Sequence, residues 1–266
     1  MIRVAINGAC GRMGSRLVAL VNEAADLELA AALEREGRPE IGQDIGEVAG
    51  IGKLGLPLEA DLTRDVDVLI DFSTPDATIQ RLGRSLEKKV PMVIGTTGFS
   101  SEQLVQIDEA AKKIPILVSP NMSVGVNLLF GIAGEVARTL GEDFDIEIVE
   151  LHHRFKKDAP SGTALKLAQN IAGAVGRNLD ECAVFGRKGI VGERPKGEIA
   201  LHAVRGGDIV GEHHIIFSSL GERVELVHRA HTRDAFARGA LRAVRFIITR
   251  PAGKYEFSNV LENAPS

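Results

Sequence analysis

The chain has 266 residues, a net charge of −4 and a pI near 6.0, a balance that argues against a nucleic-acid scaffold. Hydrophobic residues make up 44% of it but aromatics only 4%, with no Trp, so the core is built from Val, Ile, Leu and Ala, as in parallel α/β sheets. Its two cysteines, Cys10 and Cys182, give neither a disulfide framework nor a metal-ligand spacing, and no apolar run reaches the roughly 18 residues that span a bilayer.

The length suits one large or two modest domains. With no basic-then-apolar signal segment, the expectation is a soluble cytoplasmic protein without nucleic-acid or membrane partners. Ile2 to Ile6 reads as a short buried strand, followed at once by a glycine turn and then by Met13, Leu17, Val18, Leu20 and Val21 at helical spacing. Leu27 to Leu33 is a second strand-length run, so the chain opens as strand, glycine turn, helix, strand. Gly37 to Gly55 is glycine-rich and predicts a loop or short hairpin. Val66 to Phe72, Pro91 to Ile94 and Ile114 to Val118 predict further buried strands. Ser100 with Gln103 predicts a capping box for a helix with Leu104, Ile107 and Ala111 on its apolar face.

Beyond about Ser123 the pattern changes. Val124 to Leu140 predicts one helix, Phe144 to Leu151 a strand, and Gly162 to Val175 another helix. Strand-like runs then crowd together at Glu198 to Val204, Ile209 to Ser218 and Arg223 to Ala230, which favours a mixed sheet and a second domain. Arg205-Gly206-Gly207-Asp208 between two of them reads as a hairpin turn. The last helix, Asp234 to Thr249, carries a broad apolar face that suits a return to the first domain. The expected fold is therefore α/β: a Rossmann-like, doubly wound parallel sheet in 1–123, completed by 233–266, and an α+β domain with an open mixed sheet in 124–232.

Three groups of residues carry chemistry. Gly8-x-x-Gly11-x-x-Gly14 is one residue longer than the usual dinucleotide fingerprint, yet it follows a strand, opens a helix and lies twenty residues before Glu34. Such glycines let backbone amides reach a pyrophosphate, and Arg12 can add charge-assisted contacts; the alternative is a tight turn with nothing bound. Glu34 suits an adenosine ribose and NAD, Arg35 a 2′-phosphate and NADP, and the pair otherwise reads as a solvated ion pair. Gly95-Thr96-Thr97-Gly98 and Ser119-Pro120-Asn121-Met122 each follow a predicted strand, where backbone and hydroxyl groups can face a nicotinamide ribose, or where ordinary turns can lie.

The third group is Glu150 to Ala164, ELHHRFKKDAPSGTA. His152 or His153 can donate a proton near neutral pH, and Lys156 supplies a fixed positive charge or a second proton. Ser161-Gly162-Thr163 offers an N-cap hydroxyl and amides for a carboxylate. Adjacent residues of a strand point apart, so only one of the two histidines is expected to act as the acid. A metal site is disfavoured, since no cysteine or carboxylate cluster has ligand spacing, and no nucleophile elbow is present. His202, His213, His214, His228 and His231 read as core or subunit-interface histidines.

These segments resemble, in order and nearly end to end, the 4-hydroxy-tetrahydrodipicolinate reductase (dihydrodipicolinate reductase) family. The resemblance rests on NGACGRMG at 7–14, ALER at 32–35, GTTGF at 95–99, NMSVGVN at 121–127, the histidine block and Arg205 to His213. It implies an NADH- and/or NADPH-dependent reductase of diaminopimelate and lysine biosynthesis acting on a cyclic dicarboxylate. It further implies His152 as acid/base, Lys156 as proton donor, and His153, Gly162 and Thr163 as substrate contacts. Gly8, Ala9, Cys10, Gly11, Arg12, Met13, Glu34, Arg35, Gly95, Thr96, Thr97, Ser119, Pro120, Asn121 and Met122 would form the cofactor site, and the second domain's sheets a homotetramer. Cys10 departs from a glycine-rich variant of the first turn, and Ser119-Pro120 from the Ala-Ala pair of some members. Domain closure with hinges near Ser123 and Thr232 is expected. The rival readings are another two-domain NAD(P) dehydrogenase and a non-catalytic nicotinamide sensor, neither of which requires the histidine block.

Overall fold

A computed structural model describes residues 1–263. The chain divides into two compact units, residues 1–124 with 233–266, and residues 125–232.

The first unit begins with strand β1 (Ile2–Asn7), helix α1 (Arg12–Glu23) and strand β2 (Leu27–Leu33). Short helix α2 (Ile45–Val48) and strand β3 (Leu58–Glu59) follow, then β4 (Val68–Asp71), α3 (Pro75–Lys88), β5 (Met92–Ile94), α4 (Ser101–Ala111) and β6 (Pro115–Val118). In β1, Val4 and Ile6 face one layer of core while Ala5 faces the other; in β4, Val68 and Ile70 oppose Leu69 in the same way. Both faces of these strands are apolar because helices cover both sides of a parallel sheet. Ser100 and Gln103 make the reciprocal cap of α4, and Thr74 with Pro75 starts α3, a helix the apolar pattern alone does not announce.

The second unit runs through α5 (Val124–Leu140), β7 (Asp145–His152), α6 (Gly162–Ala174), α7 (Leu179–Cys182), β8 (Ala183–Phe185), β9 (Ile199–Arg205), β10 (Gly211–Ser218) and β11 (Arg223–Ala230). The chain then returns to the first unit as α8 (Asp234–Ile247), β12 (Gly253–Tyr255) and α9 (Phe257–Glu262). Buried Ala237, Ala240, Leu241 and Val244 of α8 join the core layer that holds Leu17 and Val18 of α1.

Among the described residues, seven parallel strands form the first sheet in the order β12-β6-β5-β4-β1-β2-β3, and five form a mixed second sheet in the order β11-β10-β7-β9-β8. The Rossmann-like sheet and the open mixed sheet are as expected. The edge strands β3 and β12 of the first sheet and β8 of the second are not legible in the sequence, because two or three residues show no period. Residues 37–55 are the expected loop, interrupted by α2: the Asp44 carboxylate accepts from the amides of Gly46, Glu47, Leu54, Gly55 and Leu56 and folds the segment around itself.

Residues 205–208 depart from the expected hairpin turn. β9 runs parallel to β7 and β10 antiparallel to it, with β7 between them, so Arg205-Gly206-Gly207-Asp208 is no hairpin turn. It carries the chain across the end of β7, where Gly206 N–H donates to the His152 carbonyl (3.0 Å) and Arg154 N–H to the Gly207 carbonyl (3.1 Å).

Candidate active site

In the first unit, the ends of β1, β2, β4, β5 and β6 bring together the segments read as a nucleotide site. The Gly8 and Ala9 amides donate to the Leu33 carbonyl at 3.0 and 3.1 Å, which draws the glycine turn beside Glu34. Gly8 has φ 78° and lies so close to β4 that a Cβ would sit 2.5 Å from the Phe72 carbonyl oxygen; one on Gly14 would sit 2.1 Å from the Gly8 carbonyl oxygen. Both glycines are therefore needed for the turn to close on α1. Gly11 is the N-cap of α1, and among the described residues no side chain caps it and no acidic residue occupies the first turn. Arg12 is exposed beside it. A helix start with uncommitted amides and no competing carboxylate fits a dinucleotide's pyrophosphate. Burial, and next the Glu34 charge, push the Cys10 thiol up from its ordinary range, so it stays neutral beside such an anion.

Glu34 accepts from the Arg35 amide at 3.1 Å, and the Arg35 side chain extends into solvent. Gly95 is fixed by the Phe72 ring, which a Cβ would meet at 2.3 Å. The Thr96 hydroxyl is turned inward: it donates to Asp71 (2.6 Å) and accepts from the Ser73 amide (2.9 Å). That corrects the expectation of a ribose-facing hydroxyl at Thr96. The cause is fully buried Asp71, which also draws in Asn7, Ser73 and Thr78. Thr97 is exposed. Ser119 Oγ donates to the Asn121 carbonyl (2.7 Å), Pro120 is exposed, and the Met122 side chain is buried in the core, so Met122 offers its main chain alone to a ligand.

In the second unit the site grows out of one face of β7. Pleating puts Ile146, Ile148, Glu150 and His152 on the same side. The two isoleucines are buried against α5 and α6 residues, and the same face then continues as Glu150 and His152. Register sets His213 of β10 opposite Glu150 and Arg205 of β9 opposite His152. Glu150 is wholly buried; its Oε2 receives His152 Nδ1 (2.5 Å) and Arg205 Nη1 (2.8 Å), its Oε1 Arg205 Nη2 (2.6 Å) and the Ser161 amide (3.0 Å). Burial opposes its ionisation, but the hydrogen bonds and charges of His152 and Arg205 prevail and hold the carboxyl at about 2.

His213 is 3% exposed and crosses the His152 ring edge to face, with centroids 5.3 Å apart; its Nε2 is 3.2 Å from Ser161 Oγ. Burial, then the neighbouring His152 and His228, bring it down to about 3, so it is neutral at working pH. Ser161 caps α6, accepting from the Ala164 amide, and Gly162 and Thr163 are the first two helical residues, whose amides no intrahelical carbonyl reaches. Lys156 follows a turn from His153 and pairs with Asp158 at 2.9 Å while remaining partly exposed. His153 keeps a buried Nδ1 without a hydrogen-bond partner among the described residues. No group of acidic, histidine or cysteine side chains able to hold a metal occurs among the described residues.

His152 and the α6 start at Gly162 and Thr163 are thus brought together through Glu150 and Ser161, and the Lys156 charge reaches His213, while His153 follows His152 at the end of β7. Sequence reasoning assigned no role to Glu150 or Arg205 and read His213 as a core or subunit-interface residue. The Glu150-x-His152 spacing was a usable sign of a shared strand face. Arg205 was hidden by the hairpin reading. His202 and His214 lie on the opposite face, paired with Glu147 (2.6 Å) and Glu212 (3.2 Å).

Family models described as the N-terminus and the C-terminus of dihydrodipicolinate reductase match residues 2–122 and 125–261. The chain is 47% identical to the 4-hydroxy-tetrahydrodipicolinate reductase of Syntrophus aciditrophicus over 98% of each chain. It is 49% identical to that of Hahella chejuensis over 98% of this chain and 99% of the relative. A solved dipicolinate-bound dihydrodipicolinate reductase from Paenisporosarcina sp. TG-14 superposes with a TM-score of 0.76 at 29% identity, covering 96% of this chain and 97% of that one. A Corynebacterium glutamicum myo-inositol dehydrogenase, at 14% identity and a TM-score of 0.59, shares the fold alone. Matched by both family models and by relatives along nearly its whole length, the chain belongs to the dihydrodipicolinate reductase family.

Proposed function

We propose that the chain is an NAD(P)H-dependent oxidoreductase that reduces 4-hydroxy-tetrahydrodipicolinate to tetrahydrodipicolinate, a step of diaminopimelate and lysine biosynthesis. The observation that carries this reading is the His152 cluster: a carboxylate-held imidazole, Lys156 and the Ser161-capped start of α6 at one strand end, in a chain of this family. Bound NADH or NADPH supplies the hydride that reduces the unsaturated imine left when the substrate loses water. The Gly8 to Met13 turn, with Glu34, Arg35, Gly95, the main chain of Thr96, Thr97 and the main chain of Ser119 to Met122, would hold that cofactor. Glu34 favours the ribose of NADH and Arg35 the 2′-phosphate of NADPH, so both are used.

The dicarboxylate character of the substrate is supported by the dipicolinate bound to the solved relative. In this chain the amides of Gly162 and Thr163 grip one carboxylate, helped by the α6 dipole, and His153 contacts the substrate. Lys156 leaves Asp158 to neutralise the second carboxylate or to donate the proton, and His152 moves the proton at Nε2. A homotetramer would form through the outer face of the second sheet, where Val204 and Val227 are exposed. Among the described residues no helix is long and apolar enough to cross a membrane, and the reading is of a cytoplasmic enzyme.

The testing experiment is a coupled assay with freshly made substrate, following nicotinamide absorbance with NADH and NADPH in parallel. Substrate-dependent oxidation of both is expected; oxidation of neither, with cofactor still bound, would leave a nicotinamide sensor as the better reading.

A further inference from the structure

The reading of His152 as the proton-transfer group leaves open which nitrogen works and what fixes it. We propose that Glu150, gripped by Arg205, is a positioning residue that holds His152 with Nδ1–H turned into the protein and Nε2 turned outward to the substrate.

An ionised carboxylate is an acceptor only, and among the described residues both oxygens of Glu150 are filled by donors. The Arg205 fork occupies one site on each oxygen, at 2.6 and 2.8 Å, and the Ser161 amide a second site on Oε1. The remaining site on Oε2 faces His152 Nδ1 at 2.5 Å, so that nitrogen must carry the proton. Nε2 is then the nitrogen that gains and loses a proton. It lies over Gly211, where even a Cβ would come within 3.1 Å of it, so the start of β10 puts no side chain in its way.

The cluster is assembled from three strands and a helix cap: β7 gives Glu150 and His152, β9 gives Arg205, β10 gives Gly211 and His213, and Ser161 is the N-cap of α6. Arg205 is in register with His152, and its Nη2 also donates to the Asp158 carbonyl (2.7 Å), which ties the fork to the loop that carries Lys156. The charged or titratable groups facing His152 are Glu150 and Arg205 from the strands, Lys156 with Asp158 from the loop, and His213 with His228 behind it. Of these Glu150 alone touches a ring nitrogen, so it sets the tautomer. Neutral His213 packs on the ring's side without adding a charge that would oppose an imidazolium.

The first test uses the unaltered protein. Nitrogen-15 NMR of the histidine rings above neutral pH, with His152 assigned by its loss in His152→Gln, should show Nδ1 protonated and Nε2 bare. The opposite tautomer would overturn the proposal. Glu150→Gln should then lower kcat on the order of 10²- to 10⁴-fold, as expected when an orienting carboxylate becomes an amide that can present a donor. KM for NADH should stay within about twofold, since the nucleotide segments lie in the other unit. Because Glu150 acts through His152, the double variant His152→Gln/Glu150→Gln should be no slower than His152→Gln alone. Full additivity of the two losses would contradict the positioning role. If His152→Gln itself retains full turnover, the assignment of His152 as the acid fails, whatever tautomer the spectrum shows.

Discussion

Replacing His152 by Gln keeps a hydrogen-bonding side chain of similar reach but removes the group that can carry a proton. Turnover of His152→Gln is therefore expected to fall on the order of 10²-fold or more, with the dissociation constant of the reduced nucleotide near that of the parent protein. Lys156→Ala should behave alike if its ammonium, held at 2.9 Å by Asp158, donates the proton as proposed. Single-turnover rates and fluorescence titration with NADH separate the two quantities; unchanged turnover in both variants contradicts the assignment. In the first unit, Glu34→Ala removes the acceptor proposed for a ribose hydroxyl and leaves Arg35 in place, so NADH binding should weaken more than NADPH binding. An equal loss for the two nucleotides would show that Glu34 makes no ribose contact.

At the scale of elements, α8 depends on one small residue. A Cβ on Gly239 would fall 1.7 Å from the Met122 carbonyl oxygen, so Gly239→Ala forces the helix and the segment after β6 apart. Overpacking of this kind costs about 1–3 kcal/mol, which for a chain of this size lowers Tm by several degrees, roughly 2–4 °C per kcal/mol. Differential scanning fluorimetry reads that shift, and an unchanged Tm would mean that the contact relaxes freely. The elements also show where local sequence signals stop. The glycine turn, the Ser100 cap and the helix start at Ser161 were legible because each is a contact within four residues or so of chain. Arg205 was not, since its partner Glu150 is 55 residues away and strand order is a non-local property. Turn-forming residues between two strands look the same whether the strands pair directly or flank a third, as β9 and β10 flank β7. Thr96 was misread for a related reason: its partner, buried Asp71, belongs to a neighbouring strand.

At the scale of the whole molecule, large shifts lie on the second sheet, where acid should act in two stages. Burial favours neutral His213 and lowers it from 6.5 to about 3, and half-buried His228 shifts the same way. The unfolded chain therefore binds protons that the folded chain refuses, and stability declines as pH falls from about 6.5 to about 3. For Glu147 and Glu150, burial is outweighed by hydrogen bonds from arginine and histidine, which bring both from 4.5 to about 2. Their contribution is complete above 4.5 and is lost as pH falls through about 2. His213→Gln should flatten the dependence of the unfolding midpoint between pH 6.5 and 4.5 while leaving the steeper loss below 4.5; an unaltered slope would show that His213 does not titrate as its burial requires. The most direct measurement on the central claim is a crystal structure of the protein with reduced nucleotide and dipicolinate. One dipicolinate carboxylate should accept from the Gly162 and Thr163 amides at about 3 Å, with His152 Nε2 facing the ring. Dipicolinate seated elsewhere, or residue 152 more than ~10 Å from it and so beyond direct proton transfer, would contradict the account.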